Sequence, residues 1–184
     1  MSGSLRSSIR RAILRCHPAS LCKAVSEIRI AAERLSQSEL EISYQLLGEI
    51  SSIIVPDPSE ASRRDELWRH TCAEMFIGVP DSEAYFEFNF SPSGQWAVYV
   101  FNSYRQGMRA ADCIAPNILT IRAADQLLMN VRVSLPVQLE SADQLQTGMS
   151  MVIEDRAGQC SYWALQHDAA GPDFHSRDAF VLSL

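Results

Sequence analysis

No C-x-x-C pair occurs in the 184 residues, and the five cysteines (Cys16, Cys22, Cys72, Cys113 and Cys160) are odd in number and scattered. That spacing argues against a disulfide framework or a structural zinc site and fits reduced thiols in a cytoplasmic protein. Basic charge is short as well. The chain has 16 Lys and Arg against 22 Asp and Glu, a net charge of −6, and a pI near 5.2, the reverse of the basic footprint that nucleic-acid binding leaves. No run approaches the ~20 apolar residues of a membrane helix. The basic start, MSGSLRSSIRRAILRC, lacks an apolar stretch long enough for a secretory signal. A phosphate-binding loop, a dinucleotide fingerprint and a nucleophile elbow are all missing, as are internal repeats, low-complexity tracts and any long helical period. These absences leave a single domain with neither nucleic acid nor membrane as partner. Residues 1–11 read as a flexible N-terminal segment and 12–184 as the domain. A chain of about 150 residues or more buries roughly 70% of its unfolded surface, so it needs no covalent or metal staple.

What the sequence does have is aromatic density in one place. Residues 67–109 hold Trp68 and Trp96, Tyr85, Tyr99 and Tyr104, and five of the seven phenylalanines. Within that stretch Phe86, Phe88 and Phe90 alternate with Tyr85, Glu87 and Asn89. Period-2 alternation of this kind belongs to a strand with two different faces.

The rest of the chain extends the pattern. Ile13–His17, stopped by Pro18, reads as an edge strand. Residues 25–34 are ambiguous between strand and helix. In 39–47, Leu40, Ile42, Tyr44 and Leu46 share one face, as in a half-buried strand. Further strands are expected at Ser51–Val55 and, after the Pro-punctuated loop 56–66, at Leu67–Val79. Tyr85–Phe90 and Gln95–Phe101 form a hairpin around Ser91-Pro92-Ser93-Gly94. Asn102–Ala115 is a long connection. Asn117–Ala123 pairs with Leu127–Leu135, and Gly148–Glu154 with Cys160–Gln166. Residues 139–148 and 168–178 read as loops, and Ala179–Leu184 as the closing strand. About ten or eleven short antiparallel strands with closely spaced turns predict an all-β sandwich or barrel.

Longer motifs carry a resemblance. The run Leu67-Trp68-x-x-Thr71-Cys72-x-Glu74-x-Phe76, then Tyr85-x-Glu87-x-Asn89-x-Ser91-Pro92-Ser93-Gly94-x-Trp96, resembles the DOMON-like domains and, more broadly, is similar to the family 9 carbohydrate-binding modules. Tyr104-Arg105-x-Gly107-Met108-Arg109, Tyr162-Trp163-Ala164-Leu165-x-His167 and Pro172-Asp173-Phe174-His175 fit the same pattern, so the match spans roughly 12–184. The resemblance implies bacterial relatives and an immunoglobulin-like or jelly-roll β-sandwich that binds a small ligand, in the wider group a sugar or haem.

Sugar recognition needs flat aromatic faces for C–H groups and polar side chains for hydroxyls. Trp68, Tyr85, Tyr104 and Trp163 (with Trp96) supply the first, and Glu74, Glu87, Asn89, Arg105 and Arg109 the second, with His175 beside them. The competing reading makes the tryptophans core plugs. Arg105 and Arg109, four apart, would share a face on a helical turn and clamp an anion, or else pair with Glu74 or Glu87. Asp173 and His175, with His167, either bind a metal or brace the chain end; no strong zinc spacing is present. Met75, Met108, His167 and His175 are candidate haem ligands, although no C-x-x-C-H motif exists. Glu74 and Glu87 would serve a glycosidase if placed about 5–10 Å apart. The expectation is a non-enzymatic module for a small polar ligand such as a sugar, without cofactor. A structural or protein-interaction module and a haem protein are the alternatives. The acidic surface and edge strands allow a homodimer.

Overall fold

The computed structural model describes residues 8–167 and 170–184. Twelve antiparallel strands build two sheets that pack face to face: β1 Arg10–Cys16, β2 Val25–Arg34, β3 Glu39–Gly48, β4 Cys72–Gly78, β5 Tyr85–Phe90, β6 Trp96–Phe101, β7 Arg109–Ala110, β8 Asn117–Arg122, β9 Gln126–Ser134, β10 Gln146–Glu154, β11 Cys160–Ala164 and β12 Leu182–Ser183. The first sheet runs β1-β2-β3-β9-β8 and the second β7-β6-β5-β4-β10-β11-β1, with β12 on β10. β1 belongs to both. Arg10–Leu14 pairs with β2, and Arg15 and Cys16 pair with Ala164 and Trp163 of β11. The all-β sandwich expectation therefore holds, and no helix among the described residues is long and apolar enough to cross a membrane.

Alternation explains the interior. Leu40, Ile42, Tyr44 and Leu46 of β3 are each at most 1% exposed, and Leu127, Met129, Val131 and Val133 of β9 are fully buried. Facing them from the second sheet are Met75, Ile77, Phe86, Phe88, Phe90, Met149, Met151 and Ile153. Each such side chain contributes about 1.5–3 kcal/mol on burial. The Tyr44 hydroxyl reaches across this interior, donating to the Glu74 carbonyl at 2.8 Å and lying 3.3 Å from the Met149 sulfur.

All three expected hairpins form, β5–β6, β8–β9 and β10–β11. Residues 25–34 resolve as strand because their apolar positions meet both β1 and β3. Several expectations need correction. Ile13–Cys16 lies inside the corner strand β1, whose two ends pair with strands of different sheets, and His17 caps the 3-10 turn that follows. Residues 1–7 of the segment read as flexible lie outside the described residues, and β1 already begins at Arg10. Ser51–Val55 is not a strand: Ile50–Ser52 is a 3-10 turn, and only Ile53 bridges, to Asp155. The strand expected from Leu67 starts at Cys72, because Glu66 takes a left-handed φ of 63° and Leu67–Arg69 coils into a 3-10 turn. Val137–Glu140 forms one helical turn before β10, and only Leu182–Ser183 of the closing stretch joins the sheet. Of the loop expected at 168–178, residues 168 and 169 lie outside the described residues.

Gly48 ends β3 with φ 153°, and a Cβ placed there would meet the Ala24 carbonyl oxygen at 2.1 Å. The β2–β3 ladder shifts register nearby, between Val25 and Glu27. Gly48→Ala must displace that backbone. It should lower unfolding free energy by about 2–4 kcal/mol in denaturant titration; a loss below about 0.5 kcal/mol would contradict this account of the corner.

Candidate functional site

A half-exposed sheet leaves its outward residues in water, but the second sheet does not. The outward residues of β4 (Cys72, Glu74, Phe76), β5 (Tyr85, Glu87, Asn89) and β6 (Ala97, Tyr99, Phe101) are all buried. A second layer covers them. Leu67 of the 3-10 turn, Phe174, Ala179 and Phe180 join Phe76, Tyr85, Tyr99 and Phe101 in a second apolar cluster, with Trp68 at its edge. Tyr85 stacks on Phe101 with ring centroids 4.8 Å apart, and Phe76 meets Phe180 at 6.0 Å.

The layer is incomplete. Between the Leu67–Arg69 turn and the 172–175 segment a pocket of about 610 Å³ reaches down to the sheet. Its floor is Glu74, Glu87 and Val152; its walls are Trp68, Phe101, Tyr162, Phe174 and His175; Arg69, Arg105 and Met108 form the rim. Its size and mixture of aromatic and polar lining match small-molecule sites. A depression of about 600 Å³ on the outer face of the first sheet is different: its Glu41 already pairs with Arg132 at 3.1 Å, and Glu41 is exposed.

The floor is electrostatically unusual. Glu74 is 3% exposed, and among the described residues its Oε1 has no hydrogen-bond partner; nor has the buried hydroxyl of Ser150, which stands opposite Glu74 in the β4–β10 register. Burial first, and the neighbouring Glu87 second, hold the Glu74 carboxyl well above the usual carboxylate range. Burial also pushes Glu87 up to about 7, opposed by the amide of Asn89 and by Arg105. Asn89 donates to Glu87 Oε1 at 2.8 Å.

His175 completes the wall. Its Nε2 lies 3.8 Å from Glu87 Oε2 and its Nδ1 2.8 Å from the Tyr85 hydroxyl. That hydroxyl also accepts from the Arg105 backbone N–H at 3.2 Å, so Tyr85 ties the imidazole to the turn after β6. Buried between Phe76, Tyr85 and Phe101, the imidazole is pushed down to about 4 and stays neutral.

Of the residues singled out in the sequence, Trp68, Glu74, Glu87, Arg105, Met108 and His175 line this pocket. Tyr85 and Asn89 sit directly behind it, holding His175 and Glu87. Tyr104 braces instead of lining: its hydroxyl donates to Asp173 at 2.6 Å, and Arg105 donates to the other oxygen of Asp173 at 2.8 Å. Asp173 and His175 thus tie down the C-terminal segment. His167 bonds the Arg15 carbonyl at 2.7 Å, and Met75 points into the core, fully buried.

Two readings are corrected. Arg105 and Arg109 form no clamp. Arg105 (φ 53°) and Gly107 (φ 67°) make a left-handed turn where a helix was needed, and Arg109 leaves along β7 to bond Asn102 at 2.8 Å. Trp163 is a core residue, 5% exposed, with its indole N–H given to Ser161 at 3.1 Å. Strand alternation sends its neighbour Tyr162 to the pocket instead. Tyr162, Phe101 and Phe174 were not chosen as site residues. Tyr162 faces the pocket because Trp163 pairs with Met151 of β10, on the inward row, a register that the sequence alone does not carry.

No protein-family model matches the chain, and neither does any curated protein sequence. Solved structures do. A candidate carbohydrate-binding protein from Bacteroides uniformis matches with a TM-score of 0.67 at 10% identity, over 95% of this chain and 85% of that one. A family 9 carbohydrate-binding module from Caldicellulosiruptor kristjanssonii, in complex with cellotriose, matches with a TM-score of 0.54 at 10% identity, over 88% and 74%. A module of the same family and organism with glucose gives 0.50 at 9%, over 92% and 82%. At such identities the common property is the β-sandwich fold.

Proposed function

We propose that this chain is a non-enzymatic binding module that takes a small polar ligand, a sugar, in the pocket on the outer face of the second sheet. The observation that carries the reading is a roughly 610 Å³ pocket walled by aromatic rings, with the buried acids Glu74 and Glu87 among the residues that line it. Trp68, Phe101 and Phe174 present flat apolar faces, while Glu87, Arg105 and the Glu74 floor present hydrogen-bonding groups. That combination suits a pyranose ring, apolar on its faces and polar at its edge. The likeness to sugar-bound modules and the motifs resembling DOMON-like domains support the same choice of ligand. A binding role also fits the state of the acids. Both are pushed up by burial, and both lie on the floor from adjacent strands rather than on two sides of a bound chain.

Trp68→Ala removes one wall and leaves the inner core untouched. In calorimetric titration with a panel of glucose, cellobiose and cellotriose, it should weaken binding by about tenfold or more, the loss of one stacking face being about 1–2 kcal/mol. Ile121→Ala, exposed on the opposite sheet, should leave affinity unchanged. Equal loss in both variants, or none in Trp68→Ala, would move the site elsewhere.

The buried acids also set a pH dependence for the fold. Glu87 is raised from 4.5 to about 7, so its contribution is fully present below about pH 4.5 and is lost as pH rises through about 7. Glu87→Gln cannot ionise. Between about pH 5 and about pH 8 the stability of this variant should therefore rise relative to wild type by about 2 kcal/mol. A difference that stays flat across that range would mean Glu87 is ionised at ordinary cost.

A further inference from the structure

A sheet edge presents a row of unpaired backbone N–H and C=O groups, and natural proteins blunt it with proline, charge, bulges or a covering segment. The first sheet ends at β8, and this edge is not blunted. Asn117–Arg122 contains no proline, and its only charge is Arg122 at the end. The β8–β9 ladder runs without a bulge from Asn117↔Arg132 to Arg122↔Leu127. Just beyond it the Ala123 N–H donates to the Gln126 carbonyl at 2.9 Å. Hydrogen-bonded and non-hydrogen-bonded positions alternate in an antiparallel ladder, so Asn117, Leu119 and Ile121 direct their backbone groups at β9. Ile118, Thr120 and Arg122 direct theirs away from it, and among the described residues nothing bonds them. The outer face beside the edge is apolar: Leu119 and Ile121 are 56% and 50% exposed, and half-buried Leu128 pairs with Ile121.

We propose that this edge docks a second copy of the chain, β8 joining β8 antiparallel about a two-fold axis that passes through Thr120 normal to the first sheet. The strand is complementary to itself in that register. Ile118, Thr120 and Arg122 meet the partner's Arg122, Thr120 and Ile118, which pairs every outward backbone group in about six hydrogen bonds. A register centred on Leu119 instead sets Arg122 against Pro116, which has no N–H to give. On the outer face Leu119 stands opposite the partner's Ile121, and Ile121 opposite the partner's Leu119. These are non-hydrogen-bonded positions, where side chains approach closest, so both exposed aliphatics gain an apolar neighbour. Another protein's strand could satisfy the backbone row, but the match between the two aliphatics comes from this strand's own sequence. Charge does not oppose the pairing. The two copies of Arg122 lie four positions apart along the strand, about 14 Å, beyond the screening length of about 10 Å.

A two-fold axis normal to the sheet keeps each face on its own side. The first sheets join as one, five strands from each copy, and both pockets open on the side away from it. One polymer can then be held at two points, a consequence that rests on the sugar-site reading; the dimer itself does not. A strip six residues long is at the small end of specific interfaces, so association belongs at about 10–100 µM.

The test is sedimentation velocity of the full chain between about 1 and about 500 µM. The mean mass should climb from 20.5 kDa toward twice that value. Leu119→Lys/Ile121→Lys sets like charges opposite each other and should hold the chain monomeric, as should Leu119→Glu/Ile121→Glu. Mixed in equal amounts, these two variants should dimerise with each other, since every lysine then faces a glutamate. Ile13→Lys, on the exposed face of β1 at the other end of the sheet, should associate as the wild type does. If the charged variants do not fold, amide exchange on the wild type serves. The N–H groups of Ile118, Thr120 and Arg122 should slow as concentration rises, while those of Leu119 and Ile121 keep their rates. A constant mass, no pairing between lysine and glutamate variants, equal loss in Ile13→Lys, or exchange at Ile118, Thr120 and Arg122 that ignores concentration would each overturn the β8 dimer and leave the sugar site standing.

Discussion

Burial of β4 and β5 on both faces is the constraint on which the rest of the molecule depends. Their inward residues, Met75, Ile77, Phe86 and Phe88, belong to the sandwich core, and their outward residues, Glu74, Phe76, Tyr85 and Glu87, are equally shielded. The inner side is fixed by apolar packing and by Tyr44, whose hydroxyl reaches across to the Glu74 carbonyl. That bond pins the backbone at the residue whose side chain makes the pocket floor. The outer side is fixed by the C-terminal segment: Asp173 takes bonds from Tyr104 and Arg105, His175 meets Tyr85, and Arg177 donates to the Val79 carbonyl at 2.9 Å while its guanidinium lies 4.8 Å from the Phe180 ring centroid. The turn after β6 and the chain end thus hold each other, and the pocket opens beside their junction.

Much of the sandwich was legible because period-2 alternation is a local signal. Leu40 to Leu46 and Leu127 to Val133 announce their buried rows directly, and Ser91 to Gly94 announces its turn: Gly94, with φ 92°, closes it by donating to the Ser91 carbonyl. Alternation separates two faces but does not say what covers the second one. Tyr85, Glu87 and Asn89 were correctly placed opposite the phenylalanines. That this face is also buried depends on Phe174 and Phe180, some ninety residues away in the chain, and no local pattern carries that. The same gap explains the tryptophans. Trp68 lies at the mouth because Glu66 turns left-handed just before it, while Trp163 falls on the inward row of β11. The arginine pair failed on turn geometry, since a spacing of four residues means a shared face only on a helix.

A shared sandwich at about one-tenth identity fixes where strands lie and leaves the chemistry of the pocket to its own side chains. Here those side chains carry a definite cost. A buried acid without a cation or a full set of hydrogen bonds is destabilising, and among the described residues Glu74 has neither. The apolar layer of Phe76, Tyr85, Phe101 and Phe180 offsets this cost by its own burial, so the fold tolerates a floor that is incomplete in isolation. Strain of this kind resides at sites that a ligand completes. Whatever satisfies Glu74 gains both the new bonds and the relief of an existing penalty, so binding and stabilisation of the fold are one free-energy change seen from two sides.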